Sequence, residues 1–329
     1  MENFMKKIWS SLPQDLIIKK FDKNLRHQYV QGPDGQLQLV DMWMKSTDAQ
    51  EAARYSPDIQ NVYHLFTREN PQVSQPLLLE QEQLLTSSNF NSSRRTVVLI
   101  HGWQNSVISP FNSVVVRAFL DAADVNVVVV DWSAGASTSS YVSAVANTPV
   151  SGASVARFIT WLNGVTGADL ADYHVVGHGL GGHQAGAVGR ALQRGVGYIT
   201  ALDPSFVGWV VNEDKLTPYD AVYTEVIHTN AGLEGYMATL GQIDFYPNGG
   251  VSMPGCISDQ CDHDRSFHYF AESLVTGGFT GNRCATYVSA MAGTCILRGN
   301  EKLGGLIPKT GSTGIFYVRT NILPPFSRG

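Results

Sequence analysis

The chain has 329 residues, of which 43% are hydrophobic and only 16% charged, the composition of a globular protein with a substantial core. A formal net charge of -5, with no basic run longer than two residues, argues against nucleic-acid binding. No stretch approaches the roughly 20 consecutive apolar residues that a membrane span requires.

In chain order, residues 1–35 carry Lys6, Lys7, Lys19, Lys20, Lys23 and Arg26 against Glu2, Asp15 and Asp22, with apolar residues scattered between. The expectation is an N-terminal arm packed on a single domain spanning 1–329, with a lipid-surface segment as the competing reading. Met5 to Pro13 is too short and too polar for the h-region of a signal peptide. Leu39 to Met44 and Val62 to Thr67 read as outer strands of a sheet, and the polar stretch from Gln72 to Arg95 as a surface connection. Thr96 to Ile100 and Asn126 to Val130 are continuous apolar runs of the kind buried on both faces of a parallel sheet. Pro110 to Ala123 has helical spacing, and Val155, Phe158, Ile159 and Leu162 mark a helix over Ser151 to Asn163. A further strand leads into a helix over Gly182 to Arg194. Strands follow at Tyr198 to Leu202 and Val222 to His228, and one more at Ile315 to Arg319 within a glycine- and proline-punctuated tail. Alternating strands and helices imply right-handed crossovers and a mostly parallel, doubly wound α/β sheet.

The stretch around which the rest is arranged is Tyr173 to Gly186, YHVVGHGLGGHQAG. It reads as a buried strand, an abrupt glycine-bounded turn and the start of a helix, the layout of a G-x-S-x-G nucleophile elbow, with Gly177 and Gly181 as the bounding glycines and Gly179 at the centre. All four cysteines, Cys256, Cys261, Cys284 and Cys295, fall in the last quarter without C-x-x-C spacing. Two short-loop disulfides are favoured over a metal site. Disulfides imply an oxidising compartment, and a single sequon, Asn91-Ser92-Ser93, agrees.

The chain resembles the pancreatic-lipase-like family from about Thr96 to Phe270. The resemblance rests on seven motifs in register: IHGW at Ile100 to Trp103, DWSAGA at Asp131 to Ala136, the elbow, ALDPS at Ala201 to Ser205, DAVYTEVIHTNAG at Asp220 to Gly232, DFYPNGG with PGC over Asp244 to Cys256, and CDHDRS at Cys261 to Ser266. The elbow departs from the family pattern at one fixed position, because Gly179 stands where the attacking serine belongs. The resemblance implies an α/β-hydrolase fold with nucleophile, acid and base in chain order, which places Gly179, Asp203 and His263 at the three catalytic positions. It puts the oxyanion hole at the backbone N–H groups of Leu180 and Trp103, neither of which depends on a serine side chain. His178 and His183 flank the elbow as structural residues of the motif and not as metal ligands.

The resemblance also implies Cys256–Cys261 as a lid disulfide enclosing only Ile257 to Gln260, with Cys284–Cys295 as the second bridge. The short lid and the short loop from Asn230 to Gln242 are similar to the phospholipase A1 branch, insect venom enzymes included. The chain ends without the C-terminal β-sandwich of pancreatic lipase, so no colipase-type partner is expected. Where the family has calcium ligands, Lys215 to Asp220 keeps only Asp220 of the aspartates, and no metal or other cofactor is expected. The expected function is that of a secreted, catalytically inactive lipase-like protein, its signal peptide removed, in a storage role of the lipase-derived insect yolk type or with acyl lipid or phospholipid in its cleft. The alternative is an active triacylglycerol lipase or phospholipase A1 carrying an engineered Ser-to-Gly change at 179.

Overall fold

The computed structural model describes residues 27–31, 37–41, 43 and 55–329. The expected N-terminal arm, 1–35, lies outside the described residues except for β1 (His27–Gln31), which pairs antiparallel with β2 (Leu37–Asp41) in a two-stranded sheet of its own. This differs from the expected outer strand at Leu39 to Met44, since β2 joins no strand of the main sheet. Instead, Gln38 docks it on the chain at Ser139 and on the Tyr141 N–H.

The main sheet has eleven strands among the described residues. In chain order they are β3 (Val62–Phe66), β4 (Gln75–Leu77), β5 (Thr96–Ile100), β6 (Asn126–Asp131), β7 (Tyr173–His178), β8 (Tyr198–Leu202), β9 (Tyr223–Ile227), β10 (Ile243–Pro247), β11 (Phe279–Cys284), β12 (Asn300–Leu303) and β13 (Gly314–Val318). Their order across the sheet is β12-β11-β13-β10-β9-β8-β7-β5-β6-β3-β4. The seven strands from β13 to β6 are parallel, and β3, β4, β11 and β12 close the two edges antiparallel.

Because side chains alternate across a strand, each apolar run feeds two cores. Val97, Leu99, Val127, Val129, Val176 and Leu202 face the Phe-rich side of helices α3 (Pro110–Ala122) and α7 (Asp259–Thr276). Val98, Ile100, Val128, Val130, Val175 and Ala201 face α5 (Tyr141–Thr166) and α6 (Leu180–Ala191). The remaining helices α1 (Pro57–Gln60), α2 (Glu82–Thr86), α4 (Ser133–Ala136) and α8 (Tyr287–Met291) are single turns. Helix, sheet and helix make three layers, the architecture of an α/β-hydrolase. No described helix is long and apolar enough to cross a membrane.

Three differences from the sequence reading have physical causes. The connection from Gln72 to Arg95 contains β4 and α2, anchored by the buried Leu77 and Leu85 among polar neighbours. Helix α5 starts at Tyr141, ten residues before Ser151, capped by Ser140, whose side chain accepts from the Ser143 N–H. Pro149 stands inside this helix, where burial of Tyr141, Ala144, Val145 and Thr148 offsets the one backbone hydrogen bond that the proline cannot donate. Helix α6 ends at Ala191 and not at Arg194, because Gln193 and Arg194 turn out at positive φ.

Candidate functional site

The parallel strands deliver their carboxyl ends to one edge of the sheet, where open α/β sheets bind ligands. There β7 turns into α6 at Gly179, with φ 57° and ψ -119°. A Cβ on Gly177 would lie 2.0 Å from the Gly181 carbonyl oxygen, and one on Gly181 would lie 2.0 Å from the Ile100 carbonyl oxygen, so strand and helix approach only because both are glycine. A Cβ on Gly179 would lie 3.1 Å from His263 Nε2 and 3.6 Å from Ser205 Oγ.

Immediately after the end of β8, the Asp203 N–H donates to Ile227 O at 2.7 Å, and the residue sits at φ 44° and is fully buried. Its carboxylate is saturated: Oδ1 accepts from the Thr229 N–H at 2.7 Å and the Asn230 N–H at 3.0 Å, while Oδ2 lies 2.6 Å from His263 Nδ1. His263 occupies the second turn of α7, a helix that starts within the Cys256–Cys261 disulfide loop and is capped by Ser258, which accepts from the Cys261 N–H. The second disulfide joins Cys284 to Cys295.

Burial opposes charge on the His263 ring, but the Asp203 hydrogen bond, with the charges of Glu234, Asp203 and Asp264, outweighs it and raises the pKa to about 9. The ring is thus an imidazolium at neutral pH. With Nδ1 held by Asp203, its Nε2 faces the Gly179 position and has no hydrogen-bond partner among the described residues. The ring of His178 packs on it with centroids 4.2 Å apart, and burial keeps His178 well below the usual imidazole range and hence neutral.

The turn that follows β5 lies against the elbow, since a Cβ on Gly102 would come within 3.9 Å of Gly179 Cα. His101 is locked beneath it, with Trp132 Nε1 donating to the His101 carbonyl at 2.9 Å. The backbone N–H groups of Trp103, in the turn after β5, and of Leu180, the first residue of α6, find no acceptor among the described residues; for Leu180 this is the rule, since a helix N-terminus leaves its first donors free.

The structure thus brings Gly179, Asp203 and His263 together, with Trp103 and Leu180 beside them. His183 lies elsewhere in role: Nε2 donates to Ser205 O at 2.7 Å, Nδ1 accepts from the Leu216 N–H at 3.1 Å, and the ring stacks on Trp209. Asp220 is held by Arg190 at 2.6 Å and by the Thr217 N–H and hydroxyl, which occupy both carboxylate oxygens. No group of three or more metal-binding side chains occurs among the described residues.

Sequence reasoning missed Glu234, Asp264 and Ser205 as neighbours of the site. Ser205 had a readable signal in its place one residue after Asp203-Pro204. Glu234 had none, because its approach depends on the fold of the loop between β9 and β10. A second histidine-aspartate pair, His228–Asp244 at 2.9 Å, was also missed. Both its ring nitrogens are occupied, one by Asp244 and one by Tyr236 O, so it ties that loop down.

Sheet order, elbow and aspartate-histidine pair define an α/β-hydrolase. Within that class, a family model described as Lipase matches residues 27–314, and the chain belongs to the lipase family. It is 35% identical over 270 residues to pancreatic lipase-related protein 2 of Homo sapiens, covering 73% of this chain and 57% of that protein. Against pancreatic triacylglycerol lipase of Homo sapiens it is 33% identical over 271 residues, covering 73% of this chain and 58% of that one. Against lipase member H-A of Xenopus laevis it is 37% identical over 245 residues, covering 70% and 52%. The chain therefore spans little more than half the length of these curated relatives.

Proposed function

We propose that this protein is a lipase-family member that no longer hydrolyses esters and acts by binding or storing acyl lipid. The observation that carries the reading is the hydrogen atom at the centre of the elbow: Gly179 offers no oxygen at the point from which His263 Nε2 would take a proton. Acyl transfer by this route needs a nucleophile bound to a base and the base bound to an acid, and here the first link is missing. Asp203 and His263 take the acid and base positions, and the Leu180 and Trp103 N–H groups take the oxyanion hole. The two disulfides support a secreted protein, since such bonds persist in oxidising compartments. The four-residue Cys256–Cys261 lid, with Ile257 fully exposed at its tip, supports the phospholipase A1-like branch and the yolk-type precedent for storage.

The intact 2.6 Å Asp203–His263 contact favours a second reading, an active lipase or phospholipase A1 whose serine has been replaced at 179. One experiment serves both: titrate fatty acid released from a phospholipid and a triglyceride by the protein and by Gly179→Ser. The reading expects no release by the protein itself. Release that His263→Ala abolishes would overturn it.

A further inference from the structure

We propose that the elbow is a carboxylate receptor: a fatty-acid carboxylate lodges where the side chain at 179 is missing, one oxygen accepting from His263 Nε2 and the other from the Leu180 and Trp103 N–H groups. This inference rests on the inactive, lipid-binding reading and names the ligand and its orientation.

The groups around the space are the protonated His263 Nε2 and two backbone N–H groups, all donors, and a Ser205 hydroxyl that can donate as well as accept. His263 Nε2 lies 3.1 Å from the point where a Cβ at 179 would stand, in a ring that is 7% exposed and whose other nitrogen Asp203 holds. Two backbone N–H groups are without acceptors among the described residues, and the Ser205 hydroxyl stands 3.6 Å from the same point. A site built from donors selects a ligand that only accepts, and a carboxylate offers two charged oxygens where an ester offers one good carbonyl. An alcohol would offer these donors one uncharged oxygen, a weaker acceptor than a carboxylate.

The ring stays protonated because of the acids that face it: Asp203 from the end of β8, Glu234 from the loop after β9, and Asp264 beside it on α7. Asp259 acts on Glu234 and neutral His178 packs on the ring from β7. These acids repel a second anion, so selectivity falls to the directional donors and not to net charge. In a working hydrolase the serine Oγ would fill this space; here it is free for one oxygen of the ligand.

The test is calorimetric titration of the unaltered protein with decanoate, methyl decanoate and decanol between pH 6 and 10. Decanoate is expected to bind about tenfold or more tightly than the ester at pH 7, through one charge-assisted hydrogen bond, and to lose that advantage above about pH 9 as the ring deprotonates. Gly179→Ala, whose added methyl occupies the site, should remove the preference while a thermal melt reports that the fold persists. Equal binding of acid and ester overturns the inference and leaves lipid binding standing. Binding of none of the three overturns both, and release of methanol from the ester overturns the inactive reading.

Discussion

Restoring a hydroxyl at position 179 perturbs one atom of chemistry and one backbone geometry, and the structure sets both magnitudes. The φ of 57° and ψ of -119° suit glycine, and a residue with a Cβ there costs about 1–3 kcal/mol. At about 2.1 cal/mol/K of unfolding entropy per residue, that loss lowers Tm of Gly179→Ser by roughly 1.5–4 °C. The Cβ must also push the His263 ring back by a few tenths of an ångström from 3.1 Å, after which Oγ lies within hydrogen-bond reach of Nε2. Losing the nucleophile of a serine hydrolase costs on the order of 10⁶ in rate, roughly 8 kcal/mol of barrier, so the reverse change is expected to recover several powers of ten. The assay is continuous titration of acid released from a fatty-acyl ester, with activity rising with pH towards about 9 as Nε2 becomes free to accept a proton. A folded Gly179→Ser that stays inert with a decanoyl ester would refute the assignment of Asp203, His263 and the two N–H donors as surviving machinery.

Three further outcomes follow from the same geometry. Because the folded pKa of His263 is raised, its contribution to stability is complete below about pH 6.5 and lost as pH rises through about 9. Denaturant melts should therefore show an alkaline decline of up to roughly 3 kcal/mol that Asp203→Asn flattens. Removing the Cys284–Cys295 bridge by a double serine substitution should cost about 3 kcal/mol by equilibrium denaturation, as expected for closing a loop of about a dozen residues. Gly181→Ala, whose methyl would meet the Ile100 carbonyl at 2.0 Å, should prevent soluble expression, whereas Gly164→Ala, in open space at an exposed position of α5, should raise stability by about 0.5–1 kcal/mol.

How much was legible in sequence depended on whether the signal was local. The strands β5, β6 and β8 announce themselves as unbroken apolar runs because a doubly covered parallel strand has no polar face. The elbow is legible because Gly177 and Gly181 are demanded by contacts within a few residues or with the neighbouring strand. Helix α7 was not foreseen, since its first turns, DQCDHDRS, are polar and its apolar face begins only at Phe267. Strands β11 and β12 carry Asn282, Arg283, Asn300 and Lys302 and are strands only through pairing at the sheet edge. Within the site, Asp203 and His263 could be placed by motif, but the acids that set the charge of the ring could not. Glu234 and Asp264 act through space, and Glu234 reaches the site by way of a loop whose path hangs on the buried His228–Asp244 contact.

The central claim concerns a missing oxygen, and covalent capture tests it most directly. The unaltered protein and Gly179→Ser are each treated with a serine-directed alkyl phosphonate, and intact masses are recorded before and after. The account predicts no added mass on the unaltered protein and one phosphonyl group on the variant, at residue 179. A phosphonyl adduct on the unaltered protein, at Ser205 or any other hydroxyl within reach of His263, would contradict it.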